Sequence, residues 1–348
     1  MPTPTLTLTT DRVIIVADVG SNHNGDLDTA KALIVAAARA GADVVKFQTF
    51  RARTLVHPTD PSYKLVERCE LPFEWHAELA SYAREQGIAW TSTPSDFEAL
   101  DLIAKLAPPF LKIGSDDLTN HPLIRAAVGT GLPLVLSCGM ATRADIDDAL
   151  GCVPHERLWL LYCVSVYPAE VRDYALMSLR LLDYVLRGRP MATLGGGGGR
   201  IGLSDHTLSM ALPGVAITYG ARMVEKHLTL SRAQEGPDHG HSLEPGEFAL
   251  MVKGVREAEA VMADKRDLPL GRQEELRRTA RRGLYYARNL GRGAEVLEDD
   301  LIALRPPAEL GPQDVAEVVG RRLRQPRIAL QPVCCRDLEK RTGKENRQ

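Results

Sequence analysis

The sequence predicts an α/β chain: a (β/α)8 TIM barrel followed by a small β-rich domain. Three observations predict it. Eight short β-branched runs alternate with helical periods in the first ~265 residues. Most of these runs are continuously apolar, as strands buried on both faces should be. Each run leads into polar or ionisable residues, and a barrel of this type collects its chemistry where strands end. The structural rival is a doubly wound open sheet. That fold would place a glycine-rich phosphate loop after the first strand, and the spacing of Gly20 and Gly25 is wrong for one.

The strands are expected at 13–17, 43–47, 88–92, 110–113, 133–137, 158–162, 200–203 and 222–226. Helical periods lie at 28–40, 73–86, 97–106, 122–130 and 143–150. The eighth helix is expected at 247–263, with Phe248, Met251, Val255 and Met262 on its apolar face. Five consecutive glycines, Gly195–Gly199, precede strand seven and read as a surface linker. They lie at the start of a strand, the wrong end of a barrel for catalysis. The domains divide as barrel 1–265, polar linker 266–280, β-rich module 281–338 and charged tail 339–348. Within the module, strands at 283–287 and 301–304 flank a turn at 291–293. A proline-broken loop follows at 305–307.

Composition excludes several classes of function. Lys plus Arg is 43 against 45 Asp plus Glu, a net charge of -2, so no nucleic-acid partner is expected. Aromatics at 5% do not supply a stacking face. No run is long and apolar enough to span a membrane. The first ten residues have neither a basic nor an apolar region, so no signal peptide is expected. The six cysteines form no C-x-x-C pair, which fits reduced thiols in the cytoplasm.

The residues at the strand ends form two sets. Ser204 and His206 are two apart, as are Glu225 and His227, so each pair points one way, here inward. Imidazoles on neighbouring strands seven and eight can share one divalent ion, with positions left for water or substrate. The alternative is a pair of hydrogen-bonded structural histidines. The second set is Lys46 and Lys112 with Thr93, Ser115, Ser137 and Ser204, which suits a phosphate or carboxylate. Its alternative is internal salt bridges from the lysines to Asp18 and Glu225.

Taken together, several stretches resemble the sialic acid synthase family. They are Ala17-Asp18-Val19-Gly20-Ser21-Asn22-His23-Asn24-Gly25, Val45-Lys46-Phe47-Gln48-Thr49, Thr93-Pro94 and Leu111-Lys112-Ile113-Gly114-Ser115. Further along come Leu136-Ser137-Cys138-Gly139-Met140, Gly202-Leu203-Ser204-Asp205-His206-Thr207, Val224-Glu225-Lys226-His227 and Gly236-Pro237-Asp238. The match runs over about residues 12–338, and the small module looks like that family's antifreeze-like (SAF) domain.

The resemblance implies a transferase that condenses phosphoenolpyruvate with an open-chain N-acylated amino hexose. The products are a nine-carbon 2-keto acid and phosphate, released by C–O cleavage. It implies phosphoenolpyruvate contacts at Lys46, Thr93, Lys112, Ser115, Ser137, Ser165 and Ser204. Asp18, Gln48, Tyr167, Glu225, Asp238 and Arg305 would serve the sugar. Asp18, Glu225, Lys46 and Lys112 would be catalytic. His206 and His227 would hold a divalent metal, manganese first, with magnesium or cobalt also suited. It further implies a domain-swapped homodimer in which Arg305 completes the partner's site.

The sequence departs from the family at several points. Asp18 stands for the usual glutamate, Ser165 for an asparagine of some members and Cys138 for a threonine. Residues 51–63 are short and hold no asparagine, and prolines follow Arg305. These departures keep two alternatives open: a synthase with a different aldose acceptor, and a non-catalytic sugar-binding paralogue.

Overall fold

A computed structural model describes residues 6, 8, 9, 11–154, 157–187, 200–262 and 273–340. The chain divides into two compact units, Met1–Ala263 and Asp264–Gln348.

The first unit contains all eight expected strands. They are β1 (Ile14–Gly20), β2 (Val44–Thr49), β3 (Ala89–Pro94), β4 (Leu111–Ile113), β5 (Leu134–Ser137), β6 (Leu158–Cys163), β7 (Ile201–Asp205) and β8 (Met223–His227). They form one parallel sheet in the order β3-β2-β1-β8-β7-β6-β5-β4. β1 pairs with both β2 and β8. At the remaining seam the Thr91 hydroxyl on β3 donates to Phe110 O, just before β4, at 2.6 Å. The result is a nearly closed (β/α)8 barrel.

Local sequence starts and stops the surrounding helices. Asp26 caps α1 (Leu27–Ala40) by accepting from Thr29 N, and Gly41 ends it at φ 87°. The helix buries Ala30, Leu33, Ile34 and Ala37. Short helices α2 (Ala52–Leu55) and α3 (Tyr63–Arg68) follow β2. The expected 73–86 helix opens as a 3₁₀ turn, Phe73–Trp75, before α4 (His76–Glu85). Asp96 and Asn120 cap α5 (Phe97–Lys105) and α6 (His121–Gly129), and a Thr142–Asp145 capping box starts α7 (Arg143–Leu150). α8 (Met177–Arg187), α9 (Leu212–Thr218) and α10 (Pro245–Met262) complete the ring. Phe248, Met251 and Val255 are buried as expected, but Met262 is 44% exposed. It is the last residue of α10, where the helix gives it no core to face.

Ile14, Val16, Val44, Phe110, Val135, Trp159, Leu161 and Met223 fill the barrel's interior, and Leu6 and Leu8 pack against them. Gly202 makes room for this packing. A Cβ there would stand 2.5 Å from Met223 O and 2.6 Å from Leu161. Several strands run further than their apolar stretches suggest. Asp18, Gln48, Thr93 and His227 end the hydrophobic pattern but stay in the backbone ladder, through Asp18↔Lys46, Asp18↔His227 and Gln48↔Thr93.

In the second unit, α11 (Glu274–Ala280) lies in the stretch expected as linker. β9 (Gly283–Tyr286) and β10 (Leu301–Leu304) pair antiparallel. Leu284, Tyr286, Leu290, Val296, Leu323 and Val333 form part of a separate small core. Buried Asp300 and Asp337 pair with Arg288 and Arg327. The glycine run Gly195–Gly199 and residues 341–348 lie outside the described residues.

One buried ion pair ties β7 to β8. Lys226 Nζ meets Asp205 Oδ2 at 2.6 Å, with both side chains fully shielded from solvent. The ammonium also donates to Thr207 O and Ser209 O. Lys226→Met leaves Asp205 uncompensated in the wall and should cost about 3–5 kcal/mol of barrel stability. Urea unfolding followed by tryptophan fluorescence measures it; a loss below about 1 kcal/mol would show that solvent reaches the pair.

Candidate active site

The C-terminal strand ends surround a cleft of about 330 Å³, the size of a small-molecule site. All the expected site residues line it except Asp238 and Arg305.

At its floor lies a charge cluster. Lys46 Nζ is 2.8 Å from Asp18 Oδ2 and 3.8 Å from Glu225 Oε2. Lys112 Nζ is 3.9 Å from Glu225 Oε1, which accepts from Ser204 Oγ at 3.0 Å. Asp18 also accepts from Gly20 N at 3.1 Å and Gln48 Nε2 at 3.4 Å. The aspartate, short as it is, therefore reaches Lys46. Burial alone would raise the Asp18 pKa, but Lys46 and His227 outweigh it and bring the carboxyl down to about 2. Burial works against the Lys46 ammonium; Asp18 and Glu225 outweigh it and raise its pKa.

The salt bridges weighed against an anion site therefore exist, and they leave hydrogen-bonding capacity unused. Lys112 donates to Ile113 O at 2.9 Å, and Lys46 reaches Thr93 Oγ1 at 3.4 Å. An ammonium carries three donors. Ser137 Oγ and Glu225 Oε2 are buried without a hydrogen-bond partner. Beside them Ser115 Oγ accepts from Gly139 N at 2.9 Å, and Ser165 Oγ lies 3.9 Å from Cys163 Sγ. Such a floor can receive a phosphate or carboxylate without being rebuilt.

Above it the imidazoles of His206 and His227 face each other, 5.6 Å between ring centroids. His206 Nδ1 donates to Val164 O at 2.8 Å, which leaves Nε2 as the basic nitrogen. Burial, then His227, lowers the His206 pKa to about 3, so the ring is neutral. The Tyr167 ring rests against it at 4.3 Å. His227 Nε2 is 3.7 Å from Asp18 Oδ2, and its buried Nδ1 has no partner. Among the described residues no three His, Cys, Asp or Glu side chains are grouped to hold an ion. A closed structural metal site is thus not what these residues fit. They fit an ion that takes two imidazoles from the protein and its other ligands from substrate or water.

Asp238 comes to the site from the segment after β8. Ser21 donates to its Oδ2 from both N (2.7 Å) and Oγ (2.8 Å). Gly20, at φ 54°, permits this approach, since a Cβ there would stand 2.5 Å from Asp238 Oδ2. Arg305 is exposed and directly follows β10 in the second unit. Sequence reasoning missed three contributors. Asp205 and Lys226 alternate with the site residues, and period two was the available signal that they face each other in the wall. The third, His241, carries no local pattern that separates it from a surface histidine.

A parallel barrel that gathers paired lysines and carboxylates beneath two imidazoles at its strand ends has the architecture of a barrel enzyme. The chain belongs to the NeuB family, whose model matches residues 33–267, and a SAF domain model matches residues 281–333. It is 35% identical to N,N'-diacetyllegionaminic acid synthase of Legionella pneumophila, over 89% of this chain and 90% of the relative. It is 32% identical to pseudaminic acid synthase of Helicobacter pylori, over 94% and 98%. Among solved structures, N-acetylneuraminic acid synthetase of Leptospira borgpetersenii, in complex with citrate, matches with TM-score 0.69 and 30% identity. That match covers 77% of this chain and 91% of the other.

Lys112→Met should weaken binding of a phosphate monoester about 10- to 100-fold, the loss of one charge-assisted hydrogen bond. Isothermal titration measures it; unchanged affinity would place the anion elsewhere.

Proposed function

We propose that the protein condenses phosphoenolpyruvate with an open-chain N-acylated amino hexose, forming a nine-carbon 2-keto acid and inorganic phosphate. The acceptor would be N-acetylmannosamine-like or a 2,4-diacetamido-6-deoxy hexose. One observation carries this reading: two buried ammonium groups with spare donors beside the unpartnered Ser137 and Glu225 oxygens, under a neutral imidazole.

In this reading the donor's phosphate and carboxylate are bound by Lys46 and Lys112, with hydroxyls from Thr93, Ser115, Ser137, Ser165 and Ser204. Carbon 3 of phosphoenolpyruvate bonds to the aldehyde carbon. Water adds at carbon 2, and the carbon–oxygen bond to phosphate breaks. Of the two water protons, one ends on the former aldehyde oxygen and one on phosphate. Glu225 Oε2, free of hydrogen bonds, receives the proton from the attacking water. Asp18, held ionised by Lys46, orients the acceptor with Gln48, Tyr167 and Asp238. His206 and His227 would hold a divalent ion, manganese first, which when bound polarises the aldehyde. Arg305 would meet the acyl group across a domain-swapped homodimer.

Phosphate release from phosphoenolpyruvate tests this, with manganese and a panel of N-acetylmannosamine, its 6-phosphate and 2,4-diacetamido-6-deoxy hexoses. Release with one acceptor, abolished by excess chelator, is expected. Silence with every acceptor and no phosphoenolpyruvate binding would sink the reading. His206→Ala should weaken manganese binding at least tenfold, read by electron paramagnetic resonance without substrate. An unchanged titration would assign the ion to other residues.

A further inference from the structure

The turn after β8 presents two histidines in different situations. His239 is fully used: Nδ1 bonds Thr229 Oγ1 at 2.7 Å and Nε2 bonds Asn24 Oδ1 at 3.2 Å. His241 is 3% exposed, and its Nε2 is buried without a hydrogen-bond partner. Such an orphan costs about 1–3 kcal/mol and calls for an explanation. The ring meets His227 edge-on at 4.9 Å and lies 5.1 Å from Tyr167. Its nearest carboxylate atom is Asp238 Oδ1, 3.7 Å from Nε2.

Asp238 is anchored at one oxygen only. Ser21 holds Oδ2 from two donors, while no described residue donates a hydrogen bond to Oδ1. One idle nitrogen thus lies 3.7 Å from one idle oxygen, roughly 1 Å beyond the length of a charge-assisted hydrogen bond. An imidazole carries at least one ring N–H in either protonation state, and here it can sit on Nε2.

We propose that His241 is a positioning residue that locks Asp238: Nε2–H bonds to Asp238 Oδ1 and fixes the angle at which that carboxylate meets an acceptor hydroxyl. With Ser21 on one oxygen and His241 on the other, the carboxylate cannot swing about its bond to Cβ. The inference rests on the reading that Asp238 contacts the acceptor. It assigns His241 to the carboxylate, whose Oδ1 lies 3.7 Å from its unpartnered Nε2.

The test has two arms. In wild-type protein labelled with 15N-histidine, NMR should show a protected His241 Nε2–H that is lost in Asp238→Ala. This arm needs no turnover, so it stands even if the proposed reaction fails; absence of that proton overturns the inference. In the second arm, His241→Ala should raise the acceptor KM about tenfold, with the phosphoenolpyruvate KM and the manganese affinity within threefold of wild type. His241→Gln, which can donate from a similar place, should recover most of the loss. In an Asp238→Ala background, His241→Ala should add nothing. A tenfold fall in manganese affinity at unchanged acceptor KM would make His241 a metal ligand and overturn the proposal. So would equal losses for both substrates that glutamine does not rescue.

Discussion

Two ammonium groups and two carboxylates, almost wholly removed from water, meet within 4 Å links across β1, β2, β4 and β8. Any one of them alone would carry a desolvation penalty of several kcal/mol. Each is tolerable only because its partners stand where the strand register puts them, Asp18 opposite Lys46 and Ser204 opposite Glu225. The barrel's closure and the site's charge balance are therefore one constraint. Because the cluster has a formal charge of zero, what it offers a ligand is directed N–H and O–H donors rather than net charge. A protein with net charge -2 supplies no long-range pull of its own.

β7 and β8 make this possible by being different on their two faces. Ser204 and Glu225 turn toward the cleft, while Asp205 and Lys226 turn into the wall and neutralise each other. The outer pair acts as a polar strut between strands whose inner faces are given over to chemistry. It also satisfies the carbonyls of Thr207 and Ser209 in the loop that follows β7. The loop carrying Thr207 is thus tied to the neighbouring strand.

Much of this was readable from the residues. Unbroken apolar runs announced the strands, and apolar residues at helical spacing announced the helices. Strand ends were read too short because Asp18, Gln48 and His227 look like loop residues, although the ladder does not need apolar side chains to continue. Met262 was assigned to the core because helical periodicity knows nothing of where the neighbouring elements stop. The cleft lysines and hydroxyls were legible because each lies in or just after its own strand. Asp238 was found through a motif, but the Ser21 clamp joins positions 217 residues apart and left no local trace. His241 was invisible for another reason: it stands only three residues from Asp238, but the fold of the turn, not spacing along an element, brings the two together.

The approach of Asp238 to Gly20 also shapes how this active site can change. A side chain at position 20 would strike both that carboxylate and the His227 ring, besides requiring an unfavourable backbone angle. Position 20 is thus closed to mutational exploration. Leu55 and Met140, which also line the cleft, carry exposed side chains at its rim. Evolution or a protein engineer seeking a new acceptor would find variation there, where a change of size disturbs neither the charge cluster nor the strands that hold it.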